Sequence, residues 1–163
     1  TTDRMTTRVG SHCLLMAYTH VAHDAVVGDH CVLANCANIA GHVTIEDWVI
    51  IEGVVAVQQF VRIGQHAFVA GGSLVRKNIP PFVKVAREPL SYIGVNAIGL
   101  RRRGFPDEFV RAVEDIYRTL YVTGGNMSQA IKVAEMELPI SDAKGTILDF
   151  IRASDKGIVR GPF

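Results

Sequence analysis

Residues 27–45 read VGDHCVLANCANIAGHVTI, and within them Val27, Leu33, Ile39 and Ile45 stand at equal steps of six. The step extends outward in both directions without an insertion, back through Val21 and Leu15 to Val9 and on through Ile51, Val57, Ile63 and Val69 to Val75. Twelve hexads are therefore in register. Four residues after each aliphatic position comes a small or β-branched residue, from Cys13, Thr19, Ala25 and Cys31 at one end to Ala67, Ser73 and Ile79 at the other. An amphipathic helix needs apolar residues every three or four positions and a half-buried strand every two, so neither sustains a period of six. A parallel β-helix does, because short strands stacked in coils put one hexad position at the same point of every turn. With three hexads to a triangular coil, the chain makes about four coils over residues 9–81, and residues eighteen apart lie one above another at about one strand spacing, 4.8 Å.

Beyond Pro80-Pro81 the pattern stops, since two residues without backbone donors cannot extend a hydrogen-bonded stack. Residues 1–8 have a polar, loop-like composition, and 82–104 read as an extended linker carrying the basic triplet Arg101-Arg102-Arg103. Residues 105–163 read as a helical subdomain: Pro106 opens a helix to about Val122, Gly124-Gly125 breaks it, and Ser128 and Ser141 are N-cap candidates for helices over 129–137 and 142–153. The fold expected is mainly β, a parallel β-helix followed by C-terminal α-helices. Its first coil presents unpaired strand edges, while the helices can cover the far end.

Composition narrows the function classes. Seventeen Lys and Arg against sixteen Asp and Glu give a net charge of +1, which argues for neither nucleic acid nor an anionic membrane surface as partner. Hydrophobic residues at 48% with 20% charged describe a folded chain with a large core. Glu52 and Gln58 interrupt the most apolar stretch, so no membrane span is expected. Cys13, Cys31 and Cys36 form neither a disulfide framework nor a finger spacing, and a reducing cytoplasm is the simplest setting. Cys13 and Cys31 are eighteen apart, but at the small-residue position they read as core fillers.

Steps of eighteen stack His23, Gly41 and Gln59 in one column and Asp24, His42 and Phe60 in the next, with His20 three residues before His23. Histidine is the side chain best suited to take a proton near neutral pH, and a carboxylate such as Asp24 favours the imidazolium that forms. Gly41 can offer its N–H to a developing oxyanion where a substrate must come close. A base beside an oxyanion donor is the minimal equipment for acyl transfer to a hydroxyl. Two other readings stand beside it. Histidines on a β-helix are commonly plain surface residues, and His20, His23 and His42 make a three-histidine zinc set of the kind trimeric β-helical carbonic anhydrases use. Adjacent strand residues point to opposite faces, so contact between His23 and Asp24 requires a corner. The arginine triplet is either a solvated patch or a grip for phosphate or an acidic carrier protein.

Residues 15–24 (LMAYTHVAHD), 33–35 (LAN), 39–43 (IAGHV), 94–96 (GVN) and 99–105 (GLRRRGF) resemble the acyl-carrier-protein:UDP-N-acetylglucosamine O-acyltransferase family of hexapeptide-repeat enzymes, which begin lipid A synthesis. The resemblance covers almost the whole chain. It implies a left-handed β-helix, a homotrimer with its site between neighbouring prisms, a cytoplasmic location, and no metal or other cofactor. The reaction it implies is transfer of a 3-hydroxyacyl group from acyl carrier protein to the 3-hydroxyl of UDP-N-acetylglucosamine. His23 matches the family's general base, Asp24 its orienting carboxylate and Gly41 its oxyanion donor. His20, His42, Gln59, Asn96, Arg102 and Arg103 match substrate-binding positions, and Gly71 matches the position that limits acyl length, where glycine leaves room for a long chain. The chain departs from the family at Gln58, where the best-known members have histidine, and by starting after several N-terminal coils that form part of the acceptor pocket. The second departure keeps open a trimeric binding module that does not complete the reaction.

Overall fold

The computed structural model of the chain describes residues 4–123 and 125–161, so Gly124 and the first three residues of the expected 1–8 loop lie outside the described residues. Among these residues, twelve two-residue strands recur every six positions: β1 (Arg8–Val9), β2 (Leu14–Leu15), β3 (His20–Val21), β4 (Val26–Val27), β5 (Val32–Leu33), β6 (Asn38–Ile39), β7 (Thr44–Ile45), β8 (Ile50–Ile51), β9 (Ala56–Val57), β10 (Arg62–Ile63), β11 (Phe68–Val69) and β12 (Leu74–Val75). Every third strand pairs in parallel, giving the faces β1-β4-β7-β10, β2-β5-β8-β11 and β3-β6-β9-β12 of a β-helix. The register is eighteen residues throughout, as in Val27 opposite Ile45, Leu33 opposite Ile51 and Ile39 opposite Val57. The second residue of each strand points inward, and from Val27 to Val75 all of these aliphatics are buried together with Ala25, Cys31, Ala37, Val43 and their successors. In the first coil Val9, Leu14, Leu15 and Met16 are exposed.

The corners carry an unusual backbone. Tyr18, Asp24, His30, Cys36, His42, Trp48, Val54, Phe60 and His66 all lie at φ between 57° and 66°, in the left-handed region. Such a conformation costs about 1 kcal/mol or more for a residue with a Cβ. It is offset by inter-coil hydrogen bonds made at the same residues, including His42 N–H to His23 O (3.1 Å), Trp48 N–H to Asp29 O (2.9 Å) and His66 N–H to Asp47 O (3.0 Å).

Residues 82–104 are not an extended linker. Strand β13 (Val83–Ala86) joins β11 in parallel and is followed by β14 (Ser91–Val95), antiparallel to it. The alternation of buried Val83 and Val85 with Lys84 is a period-two signal hidden behind the six-residue one. Helix α1 (Ala97–Arg102) then carries two arginines of the triplet. Helix α2 (Asp107–Arg118) starts after Pro106 and runs into a π-helical turn over Thr119–Thr123. Helix α3 (Met127–Glu137) is capped by Asn126, which accepts from the Gln129 N–H, and Ser128 lies inside it. Helix α4 (Asp142–Arg152) has the expected cap, Ser141 Oγ accepting from the Lys144 N–H at 3.1 Å. None of the helices among the described residues is long and apolar enough to cross a membrane.

The helices close the far end of the prism through specific contacts. Buried Tyr117 of α2 donates its hydroxyl to Pro81 O at 2.6 Å, Arg62 lies 4.4 Å over the Phe150 ring of α4, and Val159 N–H bonds Asn78 O at 2.9 Å. Replacing Tyr117 by Phe leaves a buried carbonyl unpaired with almost no change of volume. The expected loss is about 1–3 kcal/mol in urea unfolding, and an unchanged midpoint would mean that this bond does not hold the helices to the solenoid.

Candidate functional site

The corner that follows β3 brings His23 and Asp24 together. Because Asp24 sits at φ 60°, its side chain does not go to the opposite face from His23, and His23 Nδ1 lies 3.0 Å from Asp24 Oδ2. One coil away His42 Nε2 lies 3.8 Å from the same oxygen, and the His42 ring meets the His23 ring edge-on at 5.2 Å. Phe60, next in the column, stacks on His42 at 4.7 Å, and Lys156 from the segment after α4 lies 5.4 Å from the Phe60 ring centre. The His23 side chain is 64% exposed, whereas Asp24 is 3% exposed. Among the described residues the Asp24 Oδ1 atom is buried with no hydrogen-bond partner. The hydrogen bond with His23 holds the Asp24 carboxyl below its ordinary range; burial opposes this, while the Met5 amide and positive charge on His42 and His23 add to it.

Gly41 lies against the His23 ring. A Cβ built there would stand 2.6 Å from His23 Cε1 and 2.7 Å from Nε2, so only glycine lets the imidazole take this position. Its N–H, like those of Asn35, Asp47, Gly53 and Gln59 at equivalent corners, meets no acceptor among the described residues, whereas at some other corners a carboxylate takes it. Asp29 N–H donates to Asp47 Oδ1 (2.8 Å), Gln65 N–H to Glu46 Oε2 (2.9 Å) and Gly71 N–H to Glu52 Oε2 (2.9 Å).

The other expected site residues fall in several places. His20 is exposed on β3, outside the donor group His23, Asp24 and His42, whose ligand atoms all lie within 4.8 Å of one another. The three-histidine set is thus not the one that converges, because the strand position of His20 aims it away from the corner. Gln59 is exposed one coil beyond Gly41. Gly71 is exposed at another corner, where a Cβ would stand 3.3 Å from Gly53 O. Asn96 is buried and committed to the fold: its Oδ1 accepts from the Gly99 N–H at the start of α1 and its Nδ2 donates to His66 O at 3.0 Å. Arg102 is exposed, while Arg103 is half-buried, its guanidinium 5.4 Å from the Trp48 ring centre and its Nη1 3.3 Å from His66 Nδ1. Cys31 is buried, and burial pushes its thiol up to about 12, as a core filler requires.

The sequence reading missed a ring column on the edge that holds Arg103. His12, His30, Trp48, His66 and Phe82 stack in succession, with centroids 4.9, 4.1, 6.1 and 5.7 Å apart. The eighteen-residue count that stacks His23 over Gly41 also links His12, His30, Trp48 and His66, and it would have found them. This edge lies between β1 and β2 and their successors, whereas the His23 edge lies between β3 and β4 and theirs.

Comparison with known proteins adds to this geometry. A family profile described as Udp N-acetylglucosamine O-acyltransferase, Domain 2, matches residues 78–159, and one described as Bacterial transferase hexapeptide matches 6–41. The acyl-[acyl-carrier-protein]--UDP-N-acetylglucosamine O-acyltransferase of Xanthomonas oryzae is 51% identical over 156 residues, covering 94% of this chain and 59% of that one. That of Thiobacillus denitrificans is 40% identical over 158 residues, covering 97% and 61%. The crystal structure of a UDP-N-acetylglucosamine acyltransferase from Bacteroides fragilis matches with a TM-score of 0.89 at 43% identity, over 91% of this chain and 58% of that one. The chain therefore spans about three fifths of the length of these relatives.

His66 gives the Arg103 edge a measurable pH signature. Desolvation first, and then the Arg103 charge, lower its imidazole from 6.5 to about 4, against a smaller opposing effect of Asp47. The folded state thus holds His66 neutral, and because an arginine can only donate, Nδ1 accepts and the ring proton sits on Nε2. The stabilisation is complete above about pH 6.5 and is lost progressively down to about pH 4. Between pH 7.5 and 4.5 the wild type should lose roughly 2–3 kcal/mol more unfolding free energy than His66→Gln. Parallel pH profiles of the two proteins would contradict the buried neutral imidazole.

Proposed function

Because the chain belongs to the UDP-N-acetylglucosamine O-acyltransferase family, we propose that it serves the transfer of a 3-hydroxyacyl group from acyl carrier protein to the 3-hydroxyl of UDP-N-acetylglucosamine, the first step of lipid A synthesis. The observation that carries the reading is the 3.0 Å contact between His23 Nδ1 and a buried carboxylate, with Gly41 pressed against the same ring. Donation from Nδ1–H to Asp24 fixes the tautomer and leaves the Nε2 lone pair on the exposed side of the imidazole. Nε2 takes the proton of the sugar hydroxyl as its oxygen attacks the thioester carbonyl. The Gly41 N–H is the donor for the resulting oxyanion. When the intermediate collapses, the C–S bond breaks and the Nε2 proton passes to the departing thiolate. Asp24 stays charged throughout, and its lowered proton affinity suits that role.

Arg102, Arg103 and Asn96 belong to the nucleotide-sugar side of the reading. Arg103 is the grip for the phosphates, pre-oriented by Trp48 and His66, and Asn96 acts by holding the start of α1, which leads into it. Since Arg103 and His23 lie on different edges of the prism, one cleft uses both only if edges of two copies face each other, which supports a homotrimer. His20, His42 and Gln59 line the acceptor side, and exposed Gly71 leaves the acyl path open for a long chain. A cytoplasmic setting suits three free thiols.

His23→Ala should lower turnover by about 10²–10⁴-fold with circular dichroism and sedimentation unchanged, followed by mass spectrometry of the product from mixed acyl carriers. Turnover near wild type would remove His23 as the base. His23→Ala and Arg103→Ala, each impaired alone, should regain activity when unfolded and refolded together, since some clefts then pair two intact edges. Absence of any recovery would refute the shared cleft.

A further inference from the structure

We infer that His23, Asp24 and His42 also form a Zn²⁺ site, and that its occupation switches the proposed base off. The inhibitory half rests on the reading of His23 as the base, while the binding half stands without it. The three donors are His23 Nδ1, Asp24 Oδ2 and His42 Nε2, with separations of 3.0 Å and 3.8 Å at the carboxylate and all within 4.8 Å. Bonds of about 2.1 Å at a tetrahedral angle put zinc donors about 3.4 Å apart. The short pair therefore opens slightly and the longer pairs close. His23, on an exposed corner, has room for that movement, and its solvent side leaves a fourth position for water.

Two imidazoles with one carboxylate select zinc or a similar borderline ion over magnesium or calcium, which take oxygen donors. A second observation points to a cation independently. Asp24 is 3% exposed, and although the nearby Met5 amide helps to hold its charge, no donor among the described residues comes within hydrogen-bond distance of its Oδ1 atom, so the carboxylate carries unused acceptor capacity where a positive charge is favoured.

The consequence for catalysis follows from the ring's two nitrogens. In the metal-free corner the proton is on Nδ1 and the lone pair on Nε2. Zinc takes the Nδ1 lone pair, so the neutral ring must carry its proton on Nε2. His23 gains and loses no proton overall, but the lone pair that would accept the sugar hydroxyl proton is gone. Inhibition of this kind lowers kcat, and because His42 on the acceptor side becomes a ligand, it raises KM for the nucleotide sugar as well.

Metal-stripped protein should bind one Zn²⁺ per chain in calorimetry, and Co²⁺ in its place should give the visible bands of a tetrahedral site. Histidine-ring ¹⁵N spectra of the wild type should show Zn²⁺ on His23 Nδ1 and on His42, with His20 unmoved. His42→Ala and Asp24→Asn should weaken binding at least about tenfold, and His20→Ala should bind as the wild type does. Acyl transfer should fall with occupancy and return on chelation. No saturable binding, binding that survives His42→Ala, or coordination through His23 Nε2 would overturn the site. An active metal-free chain indifferent to Zn²⁺ sinks this inference alone. A chain that binds Zn²⁺ as described yet never transfers an acyl group sinks the functional reading and leaves the metal site standing.

Discussion

The constraint on which everything else depends is the backbone hydrogen bond passed from one corner to the corner a coil away. At His42 and His66 it ties a residue in the left-handed region to the carbonyl beneath it, and repetition of that bond keeps each coil in an eighteen-residue register. Side chains far apart in sequence become neighbours without any contact of their own being needed to bring them together. The aliphatic core follows the same register, with Leu33 on Ile51 and Ile39 on Val57. Core and chemistry are thus set by one periodicity: inward positions fill the prism, and corner positions carry the polar groups.

This explains which parts were legible in the sequence. A period of six is a global signal, and counting by eighteen was enough to bring His23 beside Gly41. What counting alone could not supply was the direction of a side chain at a corner. Strand alternation would have separated His23 from Asp24, and only the left-handed turn at Asp24 brings them to 3.0 Å. The same limit hid the replacement of His20 by Asp24 in the converging donor group. After Pro81 the register signal ends, and there β13, β14 and the Asn126 cap depended on shorter patterns that compete with one another. The family resemblance makes Asn96 a substrate contact, whereas its place as a buried helix cap comes from tertiary packing against His66, thirty residues away.

The two edges differ in how they treat charge. On one, a buried carboxylate is balanced from the side by imidazoles that remain partly open to solvent. On the other, Arg103 is packed on Trp48 and beside an imidazole kept neutral, so its positive charge has no ring partner to cancel it.

The eighteen-residue register also limits how such a molecule can change over evolutionary time. Adding or deleting one amino acid between Val9 and Val75 would turn every subsequent inward aliphatic toward solvent, so length variation is confined to excursions that leave and rejoin the same vertex. New specificity must instead arise by exchanging side chains on a lattice whose coordinates are already set.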